Sequence, residues 1–317
     1  LIDANRELSG HKETSENRVA GKIGDKMGNK YSENRIRAIM ARHRAGFSKN
    51  LGQNFLTDYT VIEAIAEGAE INEEDHVIEI GPGIGVLTIE CADRAGFVSA
   101  VEIDKKLIPI LEETVRGYDN IEIINRDILK TDIEEICRNA QNNNLNLKRV
   151  KIVGNLPYYI TTPIIMKLLE ENVPAESITI MMQKEVADRL ISAPGKKTYG
   201  AISLAVQYYC TIDEIIQVPA EAFVPKPKVD STVLRLNIRK EKPVRLKDEA
   251  VFFSVIKAGF SQRRKTLLNC LLGICGMEKG ELSEFLENLG IDSKRRAETL
   301  DMDEFAEIAN ALVSKVE

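Results

Sequence analysis

The chain has 317 residues, 44% of them hydrophobic, and a net charge of −6; that is enough apolar chain for one large core with something smaller attached. Its longest apolar runs are short and broken by charges, and no basic start leads into an apolar run, so a cytoplasmic protein without membrane spans is expected. Cys91, Cys137, Cys210, Cys270 and Cys275 stand singly in apolar segments as expected reduced thiols, and His11, His43 and His76 are scattered, so zinc chemistry and histidine-based hydrolysis lack support and no metal is expected.

Residues up to about Asn34 are polar and glycine-punctuated, without a sustained apolar period, and read as an extension with little core of its own. Ile36, Ile39 and Met40 then fall at helical spacing within 35–44, and Gly46 stops the run. Beyond Asp58, helix and strand signals alternate: helix 61–69, strand 76–80, helix 85–95, strand 97–103, helix 106–116 and strand 121–125. Strand 149–153, helix 164–169, strand 177–182 and helix 184–190 follow, with 139–148 read as a loop through Gln141, Asn142, Asn143 and Asn144. This rhythm predicts an α/β fold whose parallel sheet carries helices on both faces. After Arg239 the pattern turns wholly helical, over 249–260, 263–272, 279–288 and 302–314. The expected organisation is a polar extension (1–46), a ligand-binding α/β domain (47–239) and a helical RNA- or ribosome-binding domain (240–317) that opens on a basic run.

In a parallel sheet, ligands sit beyond the carboxyl ends of the strands. The first of those strands runs into Glu79-Ile80-Gly81-Pro82-Gly83-Ile84-Gly85, a glycine turn that lets backbone approach a ligand at a helix N-terminus. A dinucleotide fingerprint would place its third glycine at 86, which is Val86 here; the shorter spacing to Gly85 favours a methyltransferase over a dehydrogenase. Glu102 ends the second strand, where a carboxylate can accept from both hydroxyls of a ribose. Asp127 ends the third and can accept from an adenine amine, with Ile103 and Ile128 placed to sandwich the ring. Acids at successive strand ends, in the order a nucleoside would meet them, also suit the positive sulfonium of S-adenosylmethionine.

The fourth strand ends in Gly154-Asn155-Leu156-Pro157-Tyr158-Tyr159. The amino nitrogen of adenine is a poor nucleophile because its lone pair is delocalised into the ring, so a catalyst must localise that pair with acceptors aimed at the amine hydrogens. The Asn155 side-chain oxygen and a main-chain carbonyl of Leu156 or Pro157 can supply them, with the proline stiffening the turn. Tyr158 offers a face for the base. No strong general base is needed, since methylation leaves the amine cationic and ready to lose its proton.

Charge is segregated along the chain. Residues 224–266 carry twelve basic side chains against four acidic, and 1–49 carry eleven against six, so the remainder is strongly acidic. Such a distribution suits a polyanion-facing surface despite the negative total.

With these residues in place, the chain from about Ser48 onward resembles the ribosomal small-subunit adenine dimethyltransferases, whose fold is a Rossmann-like class I methyltransferase sheet with a small C-terminal all-helical domain. The likeness rests on Leu51-Gly52-Gln53-Asn54-Phe55-Leu56, the glycine loop, Glu102, Asp127, the Asn155 tetrapeptide and Phe223-Val224-Pro225-Lys226-Pro227-Lys228-Val229-Asp230-Ser231. It implies that S-adenosylmethionine is the cofactor, with Gln53, Asn54 and Leu56 at its methionine part, Gly81, Gly83 and Gly85 around its pocket, Glu102 and Ile103 at the ribose and ring, and Asp127 and Ile128 at the adenine. Asn155 would touch both cofactor and target amine, and Tyr158 and Phe223 would hold the flipped base from its two sides. Two adjacent adenosines near the 3′ end of 16S rRNA would each receive two methyls, so small residues near Asn155, such as Gly154, would leave room for a methylated base. Lys226, Lys228, Arg263, Arg264 and Lys265 are the expected RNA contacts. The implied partner is 16S rRNA within the immature small subunit, met by a monomer.

Three other readings stand beside this one. The family that dimethylates 23S rRNA and confers macrolide resistance shares fold and clamp, but Gly259–Leu267 and Leu300–Phe305 look like the small-subunit family. An adenine-N6 DNA methyltransferase would need a sizeable base-reading domain, whereas the residues after Arg239 suit shape and phosphate recognition. A non-catalytic ribosome-assembly factor would bind immature small subunits and check their shape, a role the C-terminal helical part would also support.

Overall fold

A computed structural model describes residues 32–48, 51–142 and 147–316. Most of the polar extension, with His11, and the tract Asn143 and Asn144 lie outside the described residues.

Helix α1 (Glu33–Arg42) buries Ile36 and Met40, the apolar spacing that predicted it. A two-residue strand β1 (Phe55–Leu56) precedes α2 (Tyr59–Gly68), which is capped by the Asp58 carboxylate accepting from the Thr60 N–H. The α/β alternation then runs β2 (Asp75–Ile80), α3 (Val86–Ala92), β3 (Phe97–Val101), α4 (Ile108–Thr114), β4 (Ile121–Ile124), α5 (Ile133–Asn142), β5 (Arg149–Asn155), α6 (Thr161–Glu170), β6 (Ser177–Gln183) and α7 (Lys184–Leu190). Helix α8 (Ala201–Tyr209), β7 (Cys210–Val218), β8 (Phe223–Val224) and β9 (Ser231–Ile238) complete the sheet region.

The main sheet has seven strands in the order β4-β3-β2-β5-β6-β9-β7, and β8 pairs antiparallel with β1 in a separate ribbon. Strands β4 to β6 are parallel, as expected, but β9 and β7 close the sheet antiparallel. The mixed edge departs from the all-parallel expectation. Helix α5 is a second departure: a parallel β4-to-β5 connection requires a crossover, and Ile133, Ile136, Cys137 and Ala140 bury one face of it.

Four helices follow: α9 (Glu249–Gly259), α10 (Leu267–Cys275), α11 (Lys279–Asn288) and α12 (Met302–Val316). The expected helix over 263–272 starts later than its sequence suggested, because Arg263, Arg264 and Lys265 occupy the exposed turn before it. A single hydrophobic cluster runs from Ile78, Ile152 and Ile178 in the sheet through Tyr208 and Tyr209 to Phe252, Leu271 and Phe305. Both tyrosine hydroxyls donate to Glu249, pinning α8 to α9. Cys91, Cys137, Cys210 and Cys270 are buried and unpaired. Among the described residues no helix is long and apolar enough to cross a membrane.

Candidate active site

The carboxyl ends of β2, β3 and β5, together with the 51–56 segment, enclose one cavity, as the parallel topology requires. Of the residues expected at a cofactor, Gln53, Asn54, Leu56, Gly81, Gly83, Glu102, Ile103, Asp127, Ile128 and Asn155 all line it, as do Leu156, Pro157 and Tyr158. Gly85 does not; it is the left-handed N-cap of α3 and turns the chain into that helix.

Glycine geometry shapes the floor of the cavity. Gly83 has φ +60°, and a Cβ there would stand 2.8 Å from the Phe55 ring, so only glycine lets the loop lie against β1. The Gly83 N–H donates to Glu102 Oε2 at 3.0 Å, and the Asp104 N–H donates to Oε1 at 2.8 Å. Glu102 is thereby fixed at the cavity wall; burial raises its pKa, and those two backbone hydrogen bonds oppose the shift. Asp127 accepts from the Leu129 N–H through Oδ1 at 3.0 Å, while among the described residues Oδ2 has only the exposed Lys130 ammonium 3.8 Å away. Ile103 beside it is 51% exposed, an apolar surface left open for a flat ring. Gln53 is tied at both ends: its amide donates to Asp104 Oδ2 and its Oε1 accepts from the Ser48 N–H, each at 2.8 Å.

At the end of β5, the Asn155 amide nitrogen donates to the Asn54 carbonyl at 2.9 Å. A backbone carbonyl can only accept, so this contact fixes which way the amide faces and leaves Oδ1 as the free acceptor. The Pro157 carbonyl is engaged by the Ile160 N–H and the Thr161 hydroxyl, each at 3.1 Å. Of the two main-chain acceptors open to choice in the sequence, Leu156 is therefore the one left available. The Tyr158 hydroxyl shares a 2.8 Å hydrogen bond with Ser231, which holds its ring in the wall.

Phe223 is not brought to the cavity. Its backbone pairs with Leu56, and its side chain, 2% exposed, packs with Leu56, Met181 and Val233 in a core cluster. Gly154 likewise does not line the cavity. A Cβ there would lie 2.7 Å from the Ile80 carbonyl, so its smallness serves the close approach of β5 to β2. Gly154→Ala is expected to cost about 1–3 kcal/mol and to lower turnover by displacing Asn155; thermal denaturation and single-turnover methylation would read the two effects. Lys226 and Lys228 are exposed beyond β8, with Lys226 paired to Glu221. Arg263 reaches the Lys197 carbonyl and Glu298, whereas Arg264 and Lys265 form no ion pair among the described residues.

Three wall residues were not singled out in the sequence. Glu79 is 1% exposed, and its signal was an acid inside the apolar run of a central strand. Arg126 is the one guanidinium in the wall among the described residues and pairs with Glu135 at 3.1 Å. Tyr159, 57% exposed, stands at the wall beside the clamp.

A mostly parallel sheet with this glycine turn, two acids at successive strand ends and an Asn-Leu-Pro-Tyr clamp defines a Rossmann-like class I methyltransferase. A family model described as ribosomal RNA adenine dimethylase matches residues 44–313. The ribosomal RNA small subunit methyltransferase A of Clostridioides difficile is 48% identical over 285 residues, 90% of this chain and 97% of that one. The protein of the same name from Alkaliphilus oremlandii is 49% identical over 286 residues, 90% and 98% of the two chains. Among solved structures, a dimethyladenosine transferase from Plasmodium falciparum shares the fold at TM-score 0.67 and 24% identity, over 80% of this chain and 95% of that one. A 23S rRNA methyltransferase matches at TM-score 0.60 and 27% identity, over 82% and 100%. The chain belongs to the ribosomal RNA adenine dimethylases, which are S-adenosylmethionine-dependent methyltransferases.

Proposed function

We propose that the chain transfers methyl groups from S-adenosylmethionine to N6 of two adjacent adenosines near the 3′ end of 16S rRNA, acting as a monomer on the immature small subunit. The observation that carries this reading is the Asn155 amide, locked by the Asn54 carbonyl so that Oδ1 and the neighbouring Leu156 carbonyl are the acceptors beside the cavity. Two acceptors on one amine draw its hydrogens out of the ring plane towards a tetrahedral arrangement, and so concentrate the lone pair on nitrogen. Tyr158 supplies a face for the base.

The wall residues fit the cofactor. Glu102 is held to accept from ribose hydroxyls, Asp127 keeps one carboxylate oxygen for the adenine amine, and Ile103 and Ile128 offer apolar surface for its ring. Gln53, Asn54, Leu56, Gly81 and Gly83 would border the methionine part. When bound, the cofactor supplies an electrophilic methyl group on a positively charged sulfur. The chain's own contribution is to orient the amine, screen it from water and let its proton leave to solvent.

The segment 240–317 is proposed as the RNA- and ribosome-binding domain. Identity near 48% to small-subunit enzymes against 27% to a 23S enzyme supports the small subunit over the large. Reversing Arg263, Arg264 and Lys265 to Glu is expected to weaken small-subunit binding by about tenfold or more at low salt, with a smaller difference at high salt. Filter binding across a salt series checks it. The deciding experiment offers labelled S-adenosylmethionine with unmethylated small subunits, free 16S rRNA, 23S rRNA and DNA, then maps the modified base; label confined to 23S rRNA or DNA would overturn the proposal.

A further inference from the structure

Glu79 lies at the end of β2 in the wall of the cofactor cavity, 1% exposed, and its Oε2 has no hydrogen-bond partner. Its neighbours in the sheet register are apolar, Ala100 on β3 and Val153 on β5. The polar and titratable groups around it are the Glu102 carboxyl from the end of β3 and, from α3, the Thr88 hydroxyl, also without a partner, and the Cys91 thiol, with the Glu90–Arg94 pair on the same helical segment. No cation reaches Glu79 among the described residues, and the charged side chains of the cavity wall are three acids (Glu79, Glu102, Asp127) and one base, Arg126, already paired with Glu135.

A buried acid with one oxygen unsatisfied, beside a second acid and without a cation, is a poor place for negative charge, and a good one once a cation arrives. Resting on the reading of this cavity as a methyl-donor site, we infer that Glu79 is a charge-sensing residue: protonated in the ligand-free protein, it releases its proton to solvent when a sulfonium binds and keeps it when the uncharged thioether product binds. The pocket thereby favours fresh cofactor over spent cofactor by more than contact alone provides. Burial, with the Glu102 charge added, pushes Glu79 up to about 8, and the nearby Thr88 hydroxyl opposes this only in part.

The sign follows from linkage. Ionised Glu79 attracts the sulfonium, so the preference for S-adenosylmethionine over S-adenosylhomocysteine should be low below about pH 7, rise as Glu79 loses its proton, and level off near pH 9. A unit charge within roughly 10 Å at an effective dielectric of about 20 changes an ionisation constant by about tenfold, and the affinity ratio should rise by a similar factor.

Two measurements test the inference. Calorimetry of both ligands across that pH range should show the ratio rising by about tenfold in the wild type and by clearly less in Glu79→Gln; subtracting the variant removes the α-amino group of the ligand, which titrates near pH 8 with either protein. Carbon-13 NMR of glutamate side-chain carboxyls reads the group directly in the wild-type protein, where a resonance titrating near 8 stands apart from ordinary glutamates near 4.3. That resonance should move to lower pH with S-adenosylmethionine and stay with S-adenosylhomocysteine. Equal movement with both ligands, no movement with either, or equal pH dependence in wild type and variant would overturn the charge-sensing role. Failure of the wild type to bind either ligand at any pH would instead sink the methyl-donor reading of the cavity, and this inference with it.

Discussion

Asn155→Ala is expected to lower the rate of methyl transfer by about 10²–10³ while small-subunit binding stays unchanged. On the proposed role the loss is large because one side chain does two jobs that cannot be separated: its nitrogen is spent on the Asn54 carbonyl, and only then is its oxygen available to the target amine. Asn155→Asp is the more telling variant. A carboxylate cannot donate to Asn54, so its oxygens would be repelled by that carbonyl and turn away from the place the amine must occupy. Nearly isosteric with asparagine, it should lose about as much rate as alanine and should not recover with higher RNA concentration. Single-turnover methylation of unmethylated small subunits, with filter binding of the same variants, makes the comparison. A rate within about tenfold of wild type for Asn155→Asp would remove the amide donor from the clamp.

The cavity-lining residues that can be read in the sequence are those whose chemistry demands a particular residue at a particular strand end. Glu102, Asp127 and Asn155 were found because successive parallel strands deliver their ends to one edge, and the structure gathers all three at one cavity. Glu79 was passed over because a strand-internal acid reads as part of the loop motif until its burial is known. Phe223 lies outside that lining, its ring 2% exposed in a core cluster. Proximity in a motif does not say which way a side chain points, and pairing of its strand with Leu56 turns the ring into the core. Gly154 was read for the room it gives a ligand, whereas its closest constraint is the Ile80 carbonyl. In the fold, α5 was hidden by the polar asparagine tract at its end, although Ile133, Ile136, Cys137 and Ala140 carried the helical spacing throughout. The antiparallel pair β9 and β7 is hard to read because β7, Cys210 to Val218, is half-exposed and has an irregular register at Glu214 and Ile216, which breaks its alternation.

Asp75→Ala should be the most damaging single change to the sheet that leaves the site chemistry alone. Asp75 is fully buried at the start of β2, where it accepts from Arg149 Nε at 2.8 Å and from the Asn72 N–H at 2.9 Å, and lies 3.5 Å from Lys151 Nζ. Lys151, 2% exposed, also donates to the Ala69 and Glu70 carbonyls. Removing the carboxylate strands a buried ammonium, a defect worth roughly 3–5 kcal/mol. Replacing both partners, as Asp75→Ala with Lys151→Met, removes the stranded charge and should recover a substantial part of that loss, which a double-mutant cycle by urea unfolding would measure. The cluster ties the amino ends of β2 and β5, while Glu79, Gly81 and Asn155 stand at their carboxyl ends. Below its lowered melting temperature, Asp75→Ala should therefore methylate at the wild-type rate per folded molecule, and a matching fall in kcat would mean that the strand register itself is held by this ion pair.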